Sequence, residues 1–277
     1  MKKVIVDFDN TFGVYGRDLD DALALLYLIK AENIDPVLVT TSFGNDKADI
    51  VKEATIKLFT DLNIDIPLSF YGEGGAESIV ACINKYENDI NLISLGSTSN
   101  ISRALELDKS IANKVDEYIA MGGVSEPLNI NGKIMDELNL SIDYKSTVKV
   151  LSAFNKPFII TGNNCLDFGL KPKEIFEILG EDNKLLSYLQ EGAKMWFDYH
   201  LNSYDIDYVI IWDLIAAIFL DKDEIFDQKK FRVNLKEENL KHGFLEEDEN
   251  GVEIILPRLK NIDLYKKVFR EVWSNKL

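Results

Sequence analysis

Val4-Ile5-Val6-Asp7-Phe8-Asp9-Asn10, continued after Leu19 by Asp20-Asp21-Ala22-Leu23-Ala24-Leu25, is the stretch on which the reading of this chain turns. Val4, Ile5 and Val6 are apolar and β-branched, as in a strand buried on both faces. Over 20–30, Ala22, Leu25, Leu26 and Ile29 recur at helical spacing. The two segments therefore form a strand-to-helix connection at which Asp7, Asp9, Asp20 and Asp21 meet. Carboxylates packed this closely repel one another and are costly to desolvate, so a fold tolerates them mainly when a hard cation neutralises them. Asp20 alone would read as a helix cap and Asp21 as a first-turn acid, but a cap needs one carboxylate and not four. The stretch predicts a metal site at the end of a buried strand.

The rest of the chain alternates in the same way. Short apolar runs at 37–39, 92–94, 118–121 and 158–160 have the length and composition of buried strands, and 48–61 and 76–86 repeat the helical pattern. Further helices are expected at 182–202, 212–220 and 262–273, with polar-edged strands over 231–256 around Glu249-Asn250-Gly251. No linker, repeat or low-complexity tract interrupts the chain. The expected fold class is α/β, a single domain over 1–277 with a mainly parallel central sheet flanked by helices. In such sheets ligands bind beyond the carboxyl ends of the strands. Asp7 and Asp9, Phe43-Gly44-Asn45, Gly72-Glu73-Gly74-Gly75, Gly96 and Met121-Gly122-Gly123 all fall on that rim, with Asp136-Glu137-Leu138-Asn139, Asp143 and Trp212-Asp213-Leu214 as later contributors.

Composition narrows the partners. The 277 residues are 46% hydrophobic, enough for a sizeable core, and 31 Lys and Arg stand against 47 Asp and Glu. A net charge of -16 repels polyanions and argues against nucleic acid. Cys82 and Cys165 have no metal-ligand spacing and are expected to be reduced core residues. No segment approaches 18 apolar residues, and acids interrupt the first apolar run, so no membrane partner and a cytoplasmic location are expected.

At this point the sequence resembles the inosine-uridine preferring nucleoside hydrolase family, over most of its length. The residues that carry the resemblance are Asp7-x-Asp9 with Asp20-Asp21-Ala22, Thr40-Thr41-Ser42-Phe43-Gly44-Asn45, and Leu95-Gly96-Ser97-Thr98-Ser99-Asn100. Met121-Gly122-Gly123, Glu137-Leu138-Asn139 and Trp212-Asp213 complete it, in the family's order. The resemblance implies a nucleoside hydrolase-like (Rossmann-like) fold and calcium-dependent cleavage of the N-glycosidic bond of ribonucleosides. Carried over residue by residue, it implies Asp9, Asp21, Asp213 and the Met121 carbonyl as Ca2+ ligands. Asp9 would also be the general base on the water held there. Asp20 and Asn139 would hold the 2′ and 3′ hydroxyls, Glu137 and Asn131 the 5′ hydroxyl, and Asn45 would orient the metal-site carboxylates. The family's frequent dimers and tetramers imply a homo-oligomer.

Departures from the family pattern are specific. Ten residues, 10–19, separate Asp9 from Asp20, more than many members have; with Gly13, Gly16, Phe12 and Tyr15 they suggest a mobile cover. Tyr71 and Trp212 stand where the family often has histidines able to protonate a leaving base. Trp212 resembles the purine-specific branch, whose aromatic stacking raises the basicity of the base, so purine nucleosides and purine salvage are expected and Trp212 is the stacking residue. His200 and His242 read as surface or structural, and Phe70, Tyr71, Trp196 and Tyr199 as core, with an aromatic pocket beside Trp212 as their alternative role.

Two alternatives use the same residues. Asp7-Phe8-Asp9-Asn10-Thr11 matches the opening of haloacid-dehalogenase-like phosphatases, with Asp7 as nucleophile, Asp9 as acid/base, magnesium, Ser94 or Ser97, Lys156 and an acidic pair at Glu181-Asp182. It leaves Asp20-Asp21, Met121-Gly122-Gly123 and Glu137-Leu138-Asn139 without a role. The other is a catalytically inactive nucleoside-binding homologue, in which the missing histidines mark lost activity.

Overall fold

The computed structural model describes residues 1–180 and 183–275. The strands, in chain order, are β1 (Lys2–Phe8), β2 (Ile34–Thr41), β3 (Leu68–Ser69), β4 (Asn91–Ser94), β5 (Tyr118–Met121), β6 (Leu128–Ile130), β7 (Lys133–Met135), β8 (Phe158–Ile160), β9 (Phe226–Asn234), β10 (Glu246–Glu247) and β11 (Val252–Leu259). Nine of them form one sheet in the order β10-β9-β11-β8-β5-β4-β1-β2-β3, while β6 and β7 pair as a separate hairpin. From β11 to β3 every pairing is parallel, and β9 and β10 add an antiparallel edge.

β1 is the hinge of the topology. The chain runs from β1 outward through β2 to β3, then returns to β4 on the other side of β1 and continues to β5 and β8. The loops leaving β1 and β4 therefore part in opposite directions and open a crevice at their carboxyl ends. Register brings Asp7 level with Thr40 on one neighbour and with Ser94 on the other.

Alternation along β1 divides the core. Val4, Val6 and Phe8 pack with the Asp20–Lys30 and Trp212–Asp221 helices, and Ile5 joins the opposite layer with Ile79, Ile101 and Leu151. All four β1 residues are fully buried. The Asp20–Lys30 helix is buried almost all round rather than on one stripe, because the Trp212–Asp221 and Ile262–Trp273 helices cover the side that the periodicity leaves to solvent. Ile29 alone in that helix is only half-buried.

The helix expected at 182–202 is Asn183–Tyr204; Asp182 lies outside the described residues. The strands expected within 231–256 are β9 to β11. Periodicity missed the β6–β7 hairpin and the Tyr144–Ala153 and Pro172–Leu179 helices. Cys165 is buried and Cys82 half-buried, and both are free thiols. Among the described residues no helix is long and apolar enough to cross a membrane.

Candidate active site

β1 ends in Phe8, and Asp9 follows as the backbone leaves the sheet. Two glycines make room for its carboxylate. A Cβ on Gly44 would stand 2.4 Å from Asp9 Oδ2, and one on Gly96 would stand 2.8 Å from Asp9 Cγ. Any side chain at either position would push Asp9 out of place, which gives both glycine motifs a steric reason.

Asn45 ties the acids together. Its backbone N–H donates to Asp9 Oδ2 (2.7 Å), and its side-chain Nδ2 lies 3.2 Å from Asp9 Oδ1, 3.1 Å from Asp18 Oδ1 and 3.2 Å from Asp21 Oδ2. An amide nitrogen carries two hydrogens, so three carboxylates around it exceed what it can satisfy. Asp21 Oδ1 accepts from the Asp9 backbone N–H (3.2 Å). Carboxylate oxygens of Asp18, Asp20 and Asp21 lie within 4.8 Å of one another, and Asp20 Oδ1 is buried with no hydrogen-bond partner among the described residues. Neither Asp20 nor Asp213 caps its helix, for the caps are Leu19 and Ile211 without side-chain bonds. The capping explanation for these acids therefore fails.

The electrostatics are those of anions lacking a counter-charge. Burial pushes Asp9 up to about 8 and Asp18 to about 6. Asp20, Asp21 and Asp213 are raised by burial and then by the charges of their acidic neighbours. A cation would remove both penalties. The available donors are all oxygen, carboxylates plus the Met121 carbonyl, which suits a hard cation of the calcium or magnesium kind rather than a thiolate- or imidazole-seeking metal.

Above these groups lies a cavity of about 400 Å³. Asp20, Asn45, Met121, Glu137, Asn139, Trp212 and Asp213 line it, while Asp9 and Asp21 are fully buried beneath. Asn139 Nδ2 donates to the carbonyls of Leu95 (2.9 Å) and Met121 (3.2 Å). Glu137 accepts from the backbone N–H groups of Gly123 (3.0 Å), Leu140 (2.8 Å) and Ser141 (2.8 Å), although burial raises its carboxyl above the ordinary value.

Several expectations need correction. Asn131 is not part of the cavity lining: it occupies the turn of the β6–β7 hairpin at φ 49° and donates to the carbonyls of Tyr204 (3.0 Å) and Asp205 (3.1 Å). It fastens the hairpin to a helix end. His200, read as surface or structural, is 4% exposed and lines the cavity; Trp196 is buried in the core as read and also lines it, and Tyr199, read as core, is exposed there. Phe70 and Tyr71 are absent from the lining.

The 10–19 segment is anchored rather than loose. Phe12 is buried, stacks on Tyr188 at 4.7 Å and sits where Gly192 leaves space. Thr11 donates to Asp18, and Arg17 pairs with Asp46. Tyr15 is exposed at the tip. Asp18, overlooked in the sequence because it lies inside the insertion, lines the cavity with Gly16 and Arg17. Its spacing of two residues before Asp20 is the signal that could have found it.

Asp7 plays a different part from Asp9. Fully buried and outside the cavity lining, it accepts from Thr40 Oγ1 (2.5 Å) and from Asn100 Nδ2 (2.8 Å), which also donates to the Thr41 carbonyl (2.7 Å). Asp7 thus braces the ends of β1 and β2 and the Ser99–Leu107 helix that follows β4. A phosphatase nucleophile must reach its substrate, and neither partner of this carboxylate lines the cavity, whereas Asp9 is held by Asn45, which does. Lys156 precedes β8 at the amino end of the sheet, ion-paired with Glu253. Glu181 and Asp182 lie outside the described residues.

Comparison with known proteins agrees with this geometry. A profile of the inosine-uridine preferring nucleoside hydrolase family matches residues 70–268. A probable uridine nucleosidase 2 of Oryza sativa subsp. japonica is 22% identical, covering 87% of this chain and 80% of its own length. Among solved structures, the plant nucleoside hydrolase PpNRh1 superposes with a TM-score of 0.84 at 19% identity over 99% of both chains. A purine-preferring ribonucleoside hydrolase from Gardnerella vaginalis does so with 0.82 at 16% identity, over 99% of this chain and 98% of its own. At such identities the superpositions establish the fold, and the profile match covers well over half of the sequence. The chain belongs to the inosine-uridine preferring nucleoside hydrolase family, and is a glycosidase that hydrolyses the N-glycosidic bond of nucleosides.

Proposed function

We propose that the protein is a calcium-dependent ribonucleoside hydrolase that favours purine nucleosides. The observation that carries this reading is the set of buried acids gathered by Asn45 beneath a cavity whose lining includes Trp212. Calcium, when bound by Asp9, Asp21, Asp213 and the Met121 carbonyl, supplies the charge that neutralises these acids and an anchor for sugar hydroxyls.

This chain's residues then divide the work. Asp9, locked between Gly44 and Gly96, takes the proton of the attacking water. Asp20 and Asn139 accept from the 2′ and 3′ hydroxyls, and Glu137 binds the 5′ hydroxyl without help from Asn131. As the base departs, positive charge grows on the sugar, and the surrounding carboxylate and amide oxygens stabilise it. Trp212 offers an aromatic face to the base, which supports the purine preference; the Oryza relative is named for uridine and the Gardnerella one for purines. A homo-oligomer and a cytoplasmic, purine-salvage setting belong to the same proposal.

The test is ribose release from inosine, adenosine, guanosine and uridine, each with calcium or with chelator. Chelator-sensitive release that is faster from the purine nucleosides is expected. Faster release from uridine would overturn the base preference, and chelator-resistant release would overturn the metal. Size-exclusion chromatography with light scattering checks the oligomer, for which a monomer would be the contrary result.

A further inference from the structure

Hydrolysis of a nucleoside leaves one proton to be placed. When the C1′–N bond breaks, its electron pair goes to a ring nitrogen of the base, which leaves poorly as an anion and needs a donor. Trp212 has no acidic proton, and Tyr71 is not in the cavity lining.

His200 is the one histidine in that lining. It sits on the Asn183–Tyr204 helix, one turn beyond Trp196 and one turn before Tyr204, so that all three face the cavity together. The ring is fixed from two sides. Its Nδ1 lies 3.0 Å from the Trp196 carbonyl, and its plane meets the Trp196 ring edge-on at 5.3 Å. A carbonyl only accepts, so Nδ1 carries the hydrogen and Nε2 is left as the titrating position. Among the described residues Nε2 has no hydrogen-bond partner. No structural duty uses it.

We propose that His200 is the proton donor to the departing base. As the C1′–N bond breaks, the proton on Nε2 of the imidazolium passes to the base nitrogen that receives the bond's electron pair. Asp9 takes a proton from the water whose oxygen bonds to C1′, and solvent restores both groups. Burial lowers His200 below the ordinary histidine value, so the imidazolium that carries the Nε2 proton is the minor form at neutral pH and a stronger acid than a free one, and the step draws on that fraction. The inference rests on the nucleoside hydrolase reading, and it replaces a side-chain acid supplied from the position of Trp212.

The experiment compares two leaving groups in the full-length protein with calcium. Inosine must be protonated to leave, whereas the nitrophenolate of p-nitrophenyl β-D-ribofuranoside leaves as a stable anion. His200→Phe keeps an aromatic ring among Trp196, Tyr199 and Tyr204. It is expected to lower kcat for inosine by roughly 100- to 10,000-fold while leaving kcat for the nitrophenyl riboside within about threefold. His200→Gln, which retains polarity without a transferable proton, should repeat the pattern. Equal losses on both substrates in the Gln variant would assign His200 a structural role and overturn the proposal, as would an undiminished inosine rate in either variant. If wild-type protein releases ribose from neither substrate, the functional reading itself falls, a result distinguishable from failure of His200 alone.

Discussion

Replacing Asp9 by Asn separates catalysis from stability. Asp9 is fully buried, and burial pushes its carboxyl up to about 8 from an ordinary value of 3.8, with the charges of Asp18 and Asp7 adding to the rise. Holding it at pH 7 therefore costs at most about 4 kcal/mol relative to the unfolded chain, at ~1.4 kcal/mol per pH unit between 3.8 and 7. Asparagine is neutral and close in volume, so that cost disappears. Against it stands one lost acceptor: the new amide nitrogen meets Asn45 Nδ2 or the Asn45 backbone N–H, a mismatch of about 1 kcal/mol. The net gain of about 2–3 kcal/mol corresponds to a Tm roughly 5–10 °C above wild type in chelator. Calcium should raise the variant's Tm less than the wild type's, because a ligand is gone, and ribose release should fall by at least about 100-fold with the base removed. Differential scanning fluorimetry at pH 7 with chelator or calcium, beside a ribose assay, reads all three. A variant less stable than wild type in chelator, or one with wild-type turnover, would refute the reasoning.

The same charges govern pH dependence. Asp7 and Asp9 are raised to about 7 and about 8, so between about pH 4 and 8 the folded state holds more protons than the unfolded one, and metal-free stability falls as pH rises through that window. Calcium binds the ionised form, so its stabilising increment should grow from pH 5 to 8; a chelator-state Tm that rises over this range would contradict it. Asp18→Asn removes one carboxylate from the rim of the cluster and should weaken calcium binding roughly tenfold in titration calorimetry, with unchanged affinity marking Asp18 as a bystander. Trp212→Ala should raise KM for inosine about tenfold and for uridine less, since stacking contributes about 1 kcal/mol more for the larger base; equal effects on both would remove Trp212 from base recognition.

Much of the fold was written locally. The β-branched run of β1, the helix from Asp20 and the parallel α/β alternation each follow from periods of a few residues, which short windows of sequence contain. So did the acidic cluster, since Asp9, Asp20 and Asp21 are gathered by a single connection and their mutual repulsion is predictable from charge alone, although Asp7, read with them, turns to Thr40 and Asn100 instead. The β6–β7 hairpin escaped because its strands are three residues each, too short for alternation to register. Asp18 escaped because it sits in an insertion, and only its spacing of two residues before Asp20 pointed to the cluster.

What only the tertiary structure decided are the pairings of distant residues. Asp7 and Asp9 are two residues apart and chemically identical, yet Thr40 and Asn100 hold one within the sheet while Gly44 and Gly96 leave the other just room enough under the cavity. Asn131 is given the 5′ hydroxyl by resemblance but spends its amide on the backbone of Tyr204 and Asp205. His200 had no motif around it, and its neighbours on the helix read as core. Its place in the cavity depends on how the Asn183–Tyr204 helix docks across the carboxyl ends of the strands. Sequence determined which chemistry was available, because residue type and local period act over one turn or one strand. Packing across the whole chain determined which of those groups reach the substrate, because exposure and hydrogen-bond partners are set by residues far away along it.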